Sequence, residues 1–177
     1  MRVKLLILTF TISALALAVV AGGVAGSDKS HVRATLSGYN EVPTLSTSGH
    51  GMFDARIDDD AQTITYTLTY AGLSAPATAS HIHLGARATN GGVSAFLCGG
   101  GTKPACPAGT STEATVTGTI VVSDVIGPSA QGIAPGEFGE LVAAIRAGVT
   151  YANVHSGVFP GGEIRGPLRA DDGEDRD

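Results

Sequence analysis

Two histidines one residue apart, His81-Ile82-His83, are the residues of this 177-residue chain whose type and spacing best suit chemistry. On an extended strand, residues i and i+2 share a face and lie about 6.5–7 Å apart along the chain. Neutral imidazole is a good ligand for a borderline metal ion, and two at that spacing can reach one ion. Parity then selects a face. Ile82 and Leu84 are the apolar members of the run and belong to the core, which turns His81 and His83 away from it. Tyr151-Ala152-Asn153-Val154-His155 follows the same alternation, with Ala152 and Val154 inward and Asn153 and His155 outward. In Glu163-Ile164-Arg165-Gly166-Pro167-Leu168, Ile164 and Leu168 point inward and Glu163 and Arg165 outward. If these strands are neighbours, His81, His83, His155, Asn153, Glu163 and Arg165 share one exterior patch. Parity sets the face and leaves the adjacency open.

Two readings of that patch stand side by side. In one it is a hydrogen-bonding surface for an extracellular or envelope ligand, with Glu163 and Arg165 paired to cross-strand neighbours. In the other, His81, His83 and His155 ligate a metal. An imidazole-only set suits copper(II), zinc or nickel, and the affinity order favours copper, so the expected cofactor is copper or zinc. Arg165 would then steer a small anion towards the ion. Other catalytic constellations are missing. There is no Gly-x-Ser-x-Gly elbow. Asp58-Asp59-Asp60 resembles a calcium cluster only superficially and reads as a polar hairpin turn. A catalytic role is therefore left unassigned, with the balance towards a binding module.

The elements that must position these residues are strands. Ile64, Tyr66, Leu68 and Tyr70 alternate with threonines, the clearest strand pattern in the chain. Similar runs fall at 32–36, 53–57, 82–84, 93–97, 116–122, 151–155 and 163–168, broken by Gly, Pro, Asn and Asp. About eight short strands predict an all-β fold, an antiparallel Greek-key β-sandwich. One stretch departs from period two. Phe138, Leu141, Val142 and Ile145 recur at helical spacing between Gly136 and Gly148, which predicts one short helix over 138–147.

Both ends of the chain read as something other than fold. Arg2 and Lys4 precede an apolar run at 5–20, and Gly23-Val24-Ala25 supplies small residues for cleavage, so 1–25 reads as a signal peptide. An uncleaved membrane anchor is the competing reading, for which the run is short. The protein is expected in the cell envelope or medium, with no membrane span after cleavage. The stretch 170–177, rich in Asp and Glu, reads as a disordered acidic tail, leaving one domain over 26–169. Without Arg2 and Lys4 the chain has 9 Lys and Arg against 16 acids, a net charge of −7. That balance argues against nucleic acid as a partner. Cys98 and Cys106 flank a Gly-rich heptapeptide. In an oxidising compartment they read as a disulfide; the spacing is not Cys-x-x-Cys and no His lies between them.

Taken in order, several stretches resemble the CHRD (chordin-type) domain, in its single-domain bacterial exported form. They are Leu36-Ser37-Gly38-Tyr39-Asn40-Glu41-Val42-Pro43, Ile64-Thr65-Tyr66-Thr67-Leu68, Ala79-Ser80-His81-Ile82-His83-Leu84-Gly85, Asn90-Gly91-Gly92-Val93 and Phe96-Leu97-Cys98. The best-matching ones close the domain: Tyr151-Ala152-Asn153-Val154-His155-Ser156 and Gly161-Gly162-Glu163-Ile164-Arg165-Gly166. The resemblance implies an extracytoplasmic β-sandwich and transfers little biochemistry. A looser likeness in spacing is to the copper ligands of Cu/Zn superoxide dismutases, with His81, His83 and His155 at three of the positions. This would imply redox activity, yet no histidine lies between Leu84 and Val154 to bridge to a zinc. His31 and His50 are the residues left that could approach as a fourth ligand.

Overall fold

The computed structural model describes residues 31–171. Among them are nine strands and one α-helix: β1 His31–Ser37, β2 His50–Asp58, β3 Thr63–Ala71, β4 Ala77–Leu84, β5 Gly92–Cys98, β6 Ala114–Val121, α1 Phe138–Arg146, β7 Thr150–Ser156, β8 Ile164–Pro167 and β9 Arg169–Asp171. Every pairing is antiparallel, in the order β5-β4-β7-β8-β1-β2-β3-β6, with β9 continuing beside β1. The all-β antiparallel fold read from the sequence is the observed one. In place of two separate sheets, one continuous sheet curls nearly closed, so that its halves face each other across the core. Buried Tyr66 on β3 crosses that interior and donates its hydroxyl hydrogen to the Leu97 carbonyl of β5, 2.7 Å away.

β2 and β3 alternate cleanly between buried and exposed residues, as their Thr, Tyr and Ile patterns dictate. Their inner residues Phe53, Ile64, Leu68 and Tyr70 meet Ile82, Leu97 and Ile164 in one core. The hairpin between β2 and β3 is the turn read from Asp58-Asp59-Asp60: the Asp58 carboxylate accepts the Ala61 N–H at 2.8 Å. Asp59 takes both terminal nitrogens of Arg146 at the end of α1. α1 buries Phe138, Leu141, Val142 and Ile145, the residues at helical spacing. Gly148, at φ 70°, ends the helix and turns the chain into β7.

β4 and β7 do not alternate. Six of the seven residues of β7, Thr150 to Val154 and Ser156, are buried whichever face they take, and so are Ser80 to His83 of β4. The exterior patch expected for the histidines is therefore under cover, and this is the main departure from the sequence reading. Glu41, the Thr89–Gly91 stretch and Pro160, from the segments after β1, β4 and β7, bond to Arg165, His83 and His155 on that side of the sheet.

Two expectations concern the chain ends. The proposed signal segment at 1–25 lies outside the described residues. Of the proposed tail, residues 170 and 171 are instead the end of β9, paired with Val32 and His31 of β1; Ala170 packs against the core, which gives the strand a reason to continue. Residues 172–177 lie outside the described residues. No helix among the described residues is long and apolar enough to cross a membrane.

Cys98 and Cys106 form a disulfide with a Cα–Cα distance of 5.1 Å. It closes a loop in which Gly99 N–H bonds the Pro104 carbonyl, and Gly100 leaves no room for a side chain above the Phe96 ring. Closing a loop this short restricts the unfolded chain by about 2–3 kcal/mol. Replacing both cysteines by serine is expected to lower the guanidinium midpoint accordingly; an unchanged midpoint would show that the bridge contributes nothing to stability.

Candidate metal centre

Strand register assembles the site. β7 lies between β4 and β8, and His81 faces Asn153, which faces Arg165. One step along, His83 faces Tyr151, and Ala79 faces His155. Ala79 is small, so the His155 ring can lean diagonally towards His81. The result is a cluster in which one ligating nitrogen from each of His81, His83 and His155 lies within 4.8 Å of the others. It is the one such group of three found among the described residues. A metal held at about 2.0–2.1 Å by each imidazole needs its ligand nitrogens roughly 3–3.5 Å apart. His81 Nδ1 and His155 Nε2 already stand 3.0 Å apart.

The backbone around the cluster fixes which nitrogen of each ring carries a proton. His83 Nδ1 lies 2.9 Å from the Gly91 carbonyl and His155 Nδ1 lies 2.9 Å from the Pro160 carbonyl. A carbonyl only accepts, so both Nδ1 atoms carry the proton and both Nε2 atoms are left with a lone pair. His83 Nε2 is buried and finds no hydrogen-bond partner. An imidazole oriented by a backbone carbonyl through its far nitrogen is the usual support for a metal-ligating histidine. Gly91 is placed for this task. A side chain there would collide with the Leu84 carbonyl, so only glycine lets its own carbonyl approach His83.

All three rings are held neutral. Burial, followed by the nearby His155 and His83, pushes His81 down to about 3. Burial also pushes His83 down, against the Gly91 carbonyl that favours its charged form. Burial lowers His155 too, opposed by the Pro160 carbonyl and assisted by the Arg165 charge. Ring packing keeps water away: Phe96 meets His81 edge-on at 4.5 Å between centroids, and Tyr151 stacks on His83 at 4.8 Å.

The other expected residues divide. Asn153 belongs to the site: its side-chain Oδ1 is placed 3.1 Å from His155 Nε2, and with the lone pair on that nitrogen the carboxamide turns its NH2 there instead. Arg165 lies beside it but is not free to steer an anion. It donates from Nε to Glu41, from Nη1 to the Thr89 carbonyl and from Nη2 to Asn90, at 2.7–2.9 Å, and its guanidinium covers the Tyr151 ring at 4.4 Å. Its work is to fasten the covering segments. Glu163 is not with the imidazoles. β8 begins only at Ile164, so strand parity does not govern residue 163, and its carboxylate turns to Thr47, Ser74 and Ser156. Burial alone would raise it; those hydroxyls and the Ser74 N–H outweigh burial and hold it below the ordinary carboxylate range. Neither His31 nor His50 supplies a fourth ligand: His31 bonds Asp54 at 2.8 Å, and His50 the Ser48 carbonyl.

Sequence reasoning missed Glu41, buried against Arg165 and raised by that burial despite the guanidinium's opposing pull. It also missed Tyr151, Phe96 and the two carbonyls. Glu41 lies in a loop with no period to read, although it falls inside one of the stretches that carry the resemblance.

Comparison with known proteins agrees with that resemblance. The model of the CHRD domain matches residues 32–168, which is most of the chain. The chain belongs to the CHRD domain family. No curated protein and no solved structure matches it.

Two expected outcomes follow from the burial. An imidazole kept neutral in the fold but free to protonate in the unfolded chain stabilises fully above about pH 6.5 and progressively less below it, by up to about 1.4 kcal/mol per pH unit for each ring. The thermal midpoint should fall from pH 6.5 towards 5, before most carboxylates titrate, and His81→Gln should flatten that slope; a flat wild-type profile would contradict neutral buried rings. Arg165→Met leaves the Glu41 carboxylate buried and unpaired, and should cost about 3–5 kcal/mol in urea unfolding. A change under 1 kcal/mol would show that the pair is not what holds the cover down.

Proposed function

We propose that this CHRD-domain protein is an extracytoplasmic binding module in which His81, His83 and His155 hold one copper(II) or zinc(II) ion. The single observation that carries the reading is the convergence of three neutral imidazoles, two of them aimed by backbone carbonyls, with one Nε2 buried and unpartnered. The donor chemistry narrows the metal. Both cysteines are in the disulfide, and no carboxylate joins the set, so the site offers nitrogen alone. Nitrogen-only sites suit copper(II) and zinc, copper more strongly. Without metal, His81 Nδ1–H can donate to the His155 lone pair, so a proton occupies the place an ion would take. Loading at Nδ1 requires that proton to sit on Nε2 of His81 instead.

Binding fits the surroundings better than turnover does. His81 and His83 are under 10% exposed, and Phe96 and Tyr151 pack on their rings, which leaves little approach for a substrate. A disulfide and a leader-like N-terminus support an oxidising compartment outside the cytoplasm.

Calorimetric titration of the metal-free protein is expected to show one equivalent of Cu(II) bound and Zn(II) bound more weakly, with the thermal midpoint raised by each. His83→Ala and His155→Gln should weaken uptake at least a hundredfold while the far-ultraviolet circular dichroism stays that of a β-protein. No uptake, or uptake unchanged in both variants, would end the proposal.

A further inference from the structure

The outer surface where β1 and β9 meet the loop after β4 carries a feature that the metal reading does not use. Arg33 on β1 and Arg169 on β9 are direct partners in register, and both are exposed. Like charges placed opposite each other on neighbouring strands destabilise a sheet. Arg33 leans on Asp54 at 3.4 Å, whereas neither Arg169 nor Arg87 has a side-chain partner among the described residues. Arg87 lines three adjoining depressions. One, of about 430 Å³, has Tyr39, Asn40 and the Arg165-paired Glu41 in its wall; a second, of about 390 Å³, adds Arg33 and Arg169; a third, of about 510 Å³, adds Arg169, Asp171 and Arg146, the last already paired with Asp59. The second depression holds three guanidinia against the single carboxylate of Asp54. This happens on a chain whose net charge is −5. Arg87 and Arg169 thus bring two guanidinia without an ion-pair partner to one groove of an acidic protein, a local field that attracts anions, and the planar fork of arginine matches carboxylate and sulfate.

We infer that this groove binds an acidic polysaccharide, with Arg87 and Arg169 on its carboxylate or sulfate groups and Tyr39 against a sugar ring. Tyr39 is 70% exposed, an unpacked flat ring with a polar tip, which suits the mixed apolar and hydroxyl face of a sugar. Asn40 adds an amide to the walls of both depressions on that side. The small number of cations separates this ligand from nucleic acid. Duplex DNA carries one charge per about 1.7 Å and draws on many clustered cations, whereas two unpartnered guanidinia on an acidic chain suit a polymer of lower charge density. The inference is independent of the metal site, which lies under cover on other residues.

Binding is measured by calorimetry with polygalacturonate and dextran sulfate as the carboxylate and sulfate probes, with neutral dextran and polyglutamate as controls. The intact protein should bind at least one charged polysaccharide, more weakly as salt rises, and should not bind dextran. Whichever of the two is tighter identifies the anionic group. Arg87→Ala and Arg169→Ala should each weaken binding at least tenfold, and Tyr39→Ala should weaken it severalfold. All three positions are exposed, so folding should persist; equal thermal midpoints check this. Arg56→Ala makes the same change of net charge outside the depressions and should leave affinity unchanged. Binding to neither charged polysaccharide, equal affinity for polyglutamate, or equal losses in Arg56→Ala and Arg87→Ala would overturn the inference.

Discussion

The buried pair of Arg165 and Glu41 governs the character of the site. It ties the segment after β1 and the loop after β4 down onto the outer side of β4, β7 and β8, at 2.7 Å and nearly out of contact with water. With that cover in place the sheet has two buried faces locally, and imidazoles that parity turns away from the core are still dry. Dry imidazoles favour the neutral form. Neutral imidazoles with fixed lone pairs can serve as metal ligands without first losing a proton. One clamp at the edge of the cluster thus changes its chemistry from that of solvated surface histidines to that of a preorganised donor set.

The pair is also expensive to bury on its own, which says something about why its surroundings are so fully bonded. Burial raises the Glu41 carboxyl even with a guanidinium on it. Arg165 offsets this by donating to three separate acceptors and by lying over Tyr151. Tyr151 in turn gives His83 its stacking partner, and Gly91, whose N–H is 3.2 Å from the Tyr151 hydroxyl, gives His83 its carbonyl. Clamp, ring and ligand therefore form one connected network, and a metal proposal that named only three histidines would leave out what aims them.

Much of the fold was legible because its signals are local. The Ile64 to Tyr70 alternation, the helical spacing of Phe138, Leu141, Val142 and Ile145, and the Cys98–Cys106 pair each state their own structure within a few residues. Parity also grouped His81, His83 and His155 correctly, since β4 and β7 are neighbours. It failed in two ways. It could not see loops folding over the second face, because burial of that face depends on contacts such as Arg165 with Glu41 that span 124 residues. It also placed Glu163 with the imidazoles, because period two was extended one residue beyond the start of β8. Glu41 left no pattern to find: a single acid in an irregular segment shows its role only once the strands are placed.

X-ray absorption on the copper- or zinc-loaded protein tests the central claim most directly, because it reports the identity and distance of the ligating atoms whatever the affinity. Three imidazole nitrogens at about 2.0–2.1 Å, with the multiple-scattering pattern of histidine rings, are expected. A shell of oxygens with one imidazole or none would contradict it, and would leave the three rings as a buried hydrogen-bonded cluster that holds no ion.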